Sequence, residues 1–154
     1  SIILMLFFSH AARSQFEVLD IPASGVVETA CGNGMCMVAD WETFISKTYN
    51  LGDSFIEVTN PMSLTSRTDI QFIKDSVFYV VAYRTDTLPQ TVVLRTEDAG
   101  VSWDLLFEKP YYPSAFYMHN DSFGLVGTSL GYFYRTTNRW QTTEHQVFAK
   151  VLPF

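Results

Sequence analysis

A chain of 154 residues that is 47% hydrophobic and 16% aromatic can bury one domain's core, which excludes a natively disordered protein. Its formal charge of −6 removes the broad basic face that DNA or RNA demands, so nucleic acid is not an expected partner. With 13 Phe, 8 Tyr and many Val and Thr, the composition favours strands over helices and an all-β fold.

The first residues differ from the rest. Ile2 to Phe8 is apolar and is followed by Ser9, His10, Ala11, Ala12, Arg13, Ser14 and Gln15. Ala12 and Ser14 suit the small-residue positions before a signal-peptidase cut, so residues 1–14 read as the remnant of a signal peptide. A secreted, periplasmic or cell-surface location follows from that reading, and a buried first strand is the alternative. The run is far short of the roughly 20 residues that a membrane span requires.

Phe16 to Leu19 reads as an entering strand, ended by Asp20 and Pro22. A first four-stranded unit follows at about 25–60, with strands at Val26 to Ala30, Met37 to Ala39, Thr43 to Lys47 and Phe55 to Val58. Its first hairpin turns on Asn33-Gly34, a strong hairpin signal, between Cys31 and Cys36. In an oxidising compartment these two cysteines can bridge the hairpin; two free thiols are the alternative, and metal binding lacks a second Cys or His pair at ligand spacing. Met62 to Thr68 reads as a polar connection.

A second unit, at about 69–109, holds Ile70 to Ile73, a long apolar strand from Val77 to Tyr83, Thr91 to Arg95, and a closing strand to Phe107. The third, at about 114–150, holds Ser114 to Met118, Phe123 to Gly127, Gly131 to Arg135 and Thr142 to Phe148. Each unit carries a turn between its third and fourth strands. In the second, Thr96, Asp98, Gly100, Ser102 and Trp103 supply a side-chain cap, a positive-φ glycine and a core aromatic. The first repeats the classes at Thr48, Asn50, Gly52, Ser54 and Phe55. In the third, Thr136 and Asn138 match but Trp140 stands in the glycine's place, which predicts a shorter or differently turned loop. The intervals from Thr48 to Thr96 and from Thr96 to Thr136 match the period of a four-stranded propeller blade.

Thr-x-Asp-x-Gly-x-Ser-Trp between two strands resembles the Asp-box, or BNR repeat, of sialidase-like β-propellers, and the resemblance covers about residues 25–150. Phe123 to Gly127 followed by Gly131 to Thr136 is most similar to the photosystem II stability and assembly factor group and its secreted bacterial relatives. This implies a propeller of four-stranded antiparallel blades, with the box as a structural turn at the blade periphery and not an active site. Three blades do not close a ring, since propellers have about four to eight. Residues 15–154 therefore read as part of a larger propeller, or as one of several copies assembling into a ring, and self-association is expected from the open edges.

The side chains supply types for chemistry but no pattern. A sialidase-like site needs an arginine triad, a Tyr nucleophile with a Glu, and an Asp acid. Arg67, Arg84, Arg95, Arg135 and Arg139 are available, yet Arg95 and Arg135 precede the box Thr in successive units and read as repeat features. Glu28, Glu42, Glu57, Asp40 and Asp69 could pair as glycosidase carboxylates, or be solvated charges at strand ends. His10, His119 and His145 lack metal-ligand spacing, and Asp53 and Asp104 lack the spaced carboxylates of a calcium loop. Tyr111, Tyr112, Tyr132 and Tyr134 could line a carbohydrate or peptide groove, or pack between blades. The expectation is a non-catalytic protein- or glycan-interaction scaffold without cofactor, metal or catalytic residues. The alternative is the N-terminal part of an extracellular glycoside hydrolase whose site lies largely in other blades.

Overall fold

A computed structural model describes residues 26–40, 45–50, 52–58, 64, 66–84 and 88–147. The expected signal segment, the entering strand, His10 and Glu42 lie outside them. Blade 1 is built from β1 (Val26–Gly32), β2 (Met35–Asp40), β3 (Ile45–Thr48) and β4 (Ile56–Val58). Blade 2 is built from β5 (Ser66–Lys74), β6 (Val77–Arg84), β7 (Gln90–Thr96) and β8 (Asp104–Pro110). Blade 3 is built from β9 (Pro113–Met118), β10 (Gly124–Thr128), β11 (Tyr132–Thr136) and β12 (Glu144–Val147). Each is an antiparallel sheet whose strands pair in chain order, so short turns suffice to connect them.

One boundary moves. The stretch ending at Thr68 reads as polar connection, yet β5 begins at Ser66, which pairs with Tyr83. β6 is long enough to supply backbone partners to these polar residues, and a register shift between Ser66 and Asp69 absorbs the mismatch. Pairing partners, rather than side-chain polarity, set the start of this strand.

Blade 2 is covered on both faces. Phe78, Val80, Ala82, Val92 and Leu94 pack towards blade 1 with Met37, Ile45 and Val58. Val77, Tyr79, Val81 and Val93 pack towards blade 3 with Phe116, Met118, Val126 and Tyr134. Successive residues of a strand point to opposite faces, so a doubly covered strand must be apolar throughout. That accounts for the unbroken apolar run of β6. In blade 3 alternation returns: Phe116 and Met118 are buried while Ala115 and Tyr117 beside them are exposed. Contacts between blades run mainly through the first strands, β1 to β5 and β5 to β9, so the sheets fan out from a shared inner edge.

Candidate functional site

The three turns share one hydrogen-bond scheme. In blade 1 the Thr48 hydroxyl donates to Asn50 Oδ1 at 2.8 Å and accepts the N–H groups of Asn50 and Gly52 at 3.3 and 3.0 Å. Asn50 Oδ1 also accepts from Ser54 N at 3.1 Å. In blade 2 the Thr96 hydroxyl accepts from Gly100 N at 2.8 Å, while Asp98 accepts from Ser102 N at 2.8 Å and Ser102 Oγ at 2.6 Å. The Ser102 hydroxyl and N–H, followed by the Thr96 hydroxyl, hold the Asp98 carboxyl down at about 2. Asp98 is thus an ionised turn acceptor with no proton to donate near neutral pH.

The third turn corrects the expectation of a different loop. Trp140 N donates to Thr136 Oγ1 at 2.8 Å and Thr142 N to Asn138 Oδ1 at 3.0 Å, the same two closures as in blade 2. Trp140 adopts φ +64° where Gly100 has +85°. The backbone requires the left-handed conformation, and the indole's packing against Phe107, with ring centroids 5.1 Å apart, offsets its steric cost. Gly100 permits no such side chain, because a Cβ there would lie 2.7 Å from Val58 Cγ1 of blade 1. Trp103 and Phe55 follow the box serines; Trp103 packs against the core between blades 1 and 2, and Phe55 is half-buried. Gly100→Val should therefore cost about 3 kcal/mol, summing positive-φ strain and overpacking, measured as a urea midpoint shift. An unchanged midpoint would refute this role for Gly100.

Polar groups are buried between the blades beside these turns. Lys47 of blade 1 donates from Nζ to Ala99 O of blade 2 at 2.9 Å. At the corresponding place in blade 2, Arg95 makes a two-pronged contact with Asp121 of blade 3, Nε to Oδ1 at 2.7 Å and the terminal nitrogen to Oδ2 at 2.9 Å. Tyr79 Oη donates to Asp121 Oδ1 at 3.0 Å, Arg139 reaches Oδ2 at 2.8 Å, and Arg95 also pairs with Glu97. Burial alone would raise the Asp121 carboxyl, but hydrogen bonds from Arg95 and Tyr79, with the charges of Arg95 and Arg139, hold it low. Burial and the Asp121 charge push the Tyr79 hydroxyl up, so it stays protonated as a donor. The sequence marks Asp121 only as a turn residue; its pairing with Arg95 links positions 26 apart, which no local pattern reveals.

The inner edge carries one of the depressions in the described surface. Ala30 and Cys31 of β1, Gln71 and Phe72 of β5, and Tyr117 and Met118 of β9 line a shallow, open depression of about 310 Å³ to which all three blades contribute. Gln71 Oε1 accepts from Met118 N at 2.6 Å and ties β5 to β9. Cys31 and Cys36, opposite each other in the β1–β2 pair, are joined by a disulfide. Along the same strands Asp69 lies close enough to Glu28 to feel its charge. Burial, then Glu28, raise the Asp69 carboxyl to about 6, against a backbone hydrogen bond from Ile70.

A raised carboxyl pKa stabilises the fold fully below the ordinary Asp value, and that contribution is lost as pH rises through about 6. Asp69→Asn should therefore be more stable than the parent at pH 7.5 by about 1 kcal/mol, discounted for partial exposure, and equal to it near pH 3. Urea unfolding across that range checks it; a constant difference at all pH values would contradict it.

The other residues singled out from sequence stay apart. Arg84 pairs with Glu108 within blade 2, and Arg135 with Glu144 at the outer face of blade 3. Arg95 and Arg139 meet on Asp121 inside an interface, so these arginines do not form a substrate-facing triad. Glu57, Asp53, Asp104, His119 and His145 are exposed, and the side chains of Asp40 and Arg67 lie outside the description. Tyr134 is buried between blades 2 and 3 against Phe107, whereas Tyr112 is exposed and stacks on Tyr83 with centroids 4.0 Å apart. Tyr111 stacks on Tyr132 at 5.6 Å. Among the described residues no three His, Cys, Asp or Glu side chains gather as metal ligands, and no helix is long and apolar enough to cross a membrane.

The chain matches no protein-family model and no curated protein. Solved structures do resemble it. A YCF48 bound to D1 peptide superposes with a TM-score of 0.66 at 16% identity, over 82% of this chain and 42% of that one. YCF48 from Cyanidioschyzon merolae gives 0.63 at 15%, over 82% and 38%. The fold is part of a β-propeller. The chain spans about two fifths of the length of those structures. Propeller geometry explains why β1, β5 and β9 converge, since the first strand of each blade lies nearest the central axis.

Proposed function

We propose that this chain belongs to an exported, non-catalytic propeller that binds a protein segment at the inner-edge depression and serves as an interaction or assembly scaffold. The observation that carries the reading is that depression, shared by the first strands of all three blades, on a fold similar to a structure holding a bound peptide. Its lining pairs an exposed aromatic face, Tyr117, with a tethered amide, Gln71, a combination suited to stacking and to backbone hydrogen bonds. In this reading the three threonine turns are Asp-boxes of the sialidase-like type, acting as structural punctuation, and further blades complete the ring. Residues 1–14 direct export, and the Cys31–Cys36 disulfide fits an oxidising compartment.

Selection of a random peptide library against the purified chain tests this. Enriched peptides should slow hydrogen exchange in β1, β5 and β9, and should lose affinity about tenfold with Tyr117→Ala. No enrichment, or protection only at the blade rims, would overturn it. The second reading, a glycoside hydrolase, is favoured by one observation: Asp69, raised beside Glu28, has the character of a general acid. Hydrolysis of fluorogenic glycosides that is abolished by Asp69→Asn would establish it in place of the scaffold.

A further inference from the structure

The Cys31–Cys36 disulfide joins positions that the fold already holds together. The two residues face each other in the β1–β2 register with Cα atoms 4.1 Å apart, and Asn33 and Gly34, at φ +51° and +74°, form the tight turn between them. Close packing fixes the same hairpin against blade 2, since a Cβ on Gly32 would lie 2.0 Å from Phe72 Cε1. A disulfide stabilises a fold through the loop it closes, and a sequence separation of 5 makes that loop short. The bond is also open to attack. Cys31 is exposed and belongs to the lining of the inner-edge depression, whereas Cys36, on β2, is half-buried and outside that lining. Exposed disulfides of small structural weight are the ones that exchange with thiols.

We propose that the Cys31–Cys36 disulfide is a thiol-exchange site, at which Cys31 captures the cysteine of a protein segment lying in the inner-edge depression. The inference rests on the scaffold reading and adds a covalent step at the same site. The segment's cysteine thiolate attacks Cys31 Sγ and a new S–S bond forms between them; the Cys31–Cys36 bond breaks, and Cys36 leaves as a thiolate that takes a proton from water. Oxidation state is conserved, so the step needs no further oxidant or reductant. Attack falls on Cys31 because that cysteine is the one presented in the depression, flanked in sequence by the small residues Ala30 and Gly32. Tyr117, exposed in the same lining, offers a ring face to the side chain beside the segment's cysteine. Cys36 remains paired through β2 to Cys31 on one side and to Thr48 on the other, which places its thiolate to attack back and release the segment. Capture is therefore reversible.

The test incubates the whole oxidised chain with the peptide acetyl-Leu-Cys-Phe-amide, and separately with glutathione, at about pH 8, where a thiol is partly ionised. Free thiols are then blocked with iodoacetamide and the adducts mapped by mass spectrometry. The expected product carries the peptide on Cys31 and the alkyl group on Cys36. It should form about tenfold faster than the glutathione adduct at equal thiolate concentration, and Tyr117→Ala should remove that advantage. The chain carrying both Cys31→Ser and Cys36→Ser should still unfold cooperatively, with its Tm lowered by less than about 10 °C. No adduct, an adduct on Cys36, equal rates for the two thiols, or a double variant that does not fold would each overturn the proposal. Selected peptides that lack cysteine and protect β1, β5 and β9, with no adduct from the probe peptide, would overturn the exchange and leave the scaffold reading standing, so the two failures are distinguishable.

Discussion

Asp121→Ala is expected to lower stability by about 3–5 kcal/mol, the largest effect expected of a single polar substitution among the described residues. The aspartate is buried at the junction of blades 2 and 3 and receives Arg95 through two nitrogens, the Tyr79 hydroxyl and Arg139. Truncation leaves a guanidinium, 5% exposed, with the solvent-facing Glu97 and the face of the Tyr79 ring in place of its buried carboxylate. Stranding a buried charge costs more than the net worth of the pair. Combining Asp121→Ala with Arg95→Met should therefore destabilise less than the sum of the two single changes, by about 1 kcal/mol or more, as for other coupled buried pairs. Equilibrium urea unfolding of the four proteins gives the cycle, and strict additivity would refute the coupling. The pH dependence has a defined sign. A carboxyl held below its ordinary value contributes stability above that value and loses it as pH falls through the folded pKa, so the parent should gain stability from acid upward and Asp121→Ala should lack that gain.

Trp140→Ala should cost about 3–5 kcal/mol, because the indole is 4% exposed and fills the interface against Phe107. Trp140→Gly is expected to be less damaging than Trp140→Ala, by about 1 kcal/mol, reversing the usual order of these two residues in strands and turns. The reversal follows from the φ of +64°, which alanine resists and glycine accepts. Thermal unfolding of the two variants decides it. If alanine proved the more stable, the left-handed conformation at residue 140 would be refuted.

The repeat is legible because it is written in local terms. Thr48, Thr96 and Thr136, each followed two positions later by Asn or Asp, mark the turn between the third and fourth strands, and a four-stranded period leads directly to the blade. The third turn escapes the same logic for a physical reason. Sequence reasoning equates positive φ with glycine, whereas the structure places tryptophan there and recovers the strain through Phe107, a partner in the preceding blade. The early start of β5 is hidden because Ser66 enters the strand through backbone pairing with Tyr83, which no local pattern announces. The arginines show the same division. That Arg95 and Arg135 are equivalent is readable from spacing, but that one is sealed against Asp121 and the other open beside Glu144 depends on what packs over each blade.

The candidate site is less legible. Gln71, Phe72 and Tyr117 are ordinary strand residues by composition, and only the convergence of three first strands makes them neighbours of Cys31. Glu28 and Asp69 stand among several carboxylates in the sequence, with nothing to single out the pair. Their proximity comes from β1 and β5 running side by side along the inner edge.

The polar contacts that cross between blades join residues only 26 to 52 apart in the chain, from Arg95–Asp121 at the short end to Lys47–Ala99 at the long end. Because these contacts join neighbouring sheets, each sheet can settle on its predecessor as synthesis proceeds. A nascent chain can therefore add one interface at a time, with the Arg95–Asp121 junction sealing once the first hairpin of blade 3 has emerged. Assembly in this order leaves one unfinished surface at any moment, on the most recently made sheet.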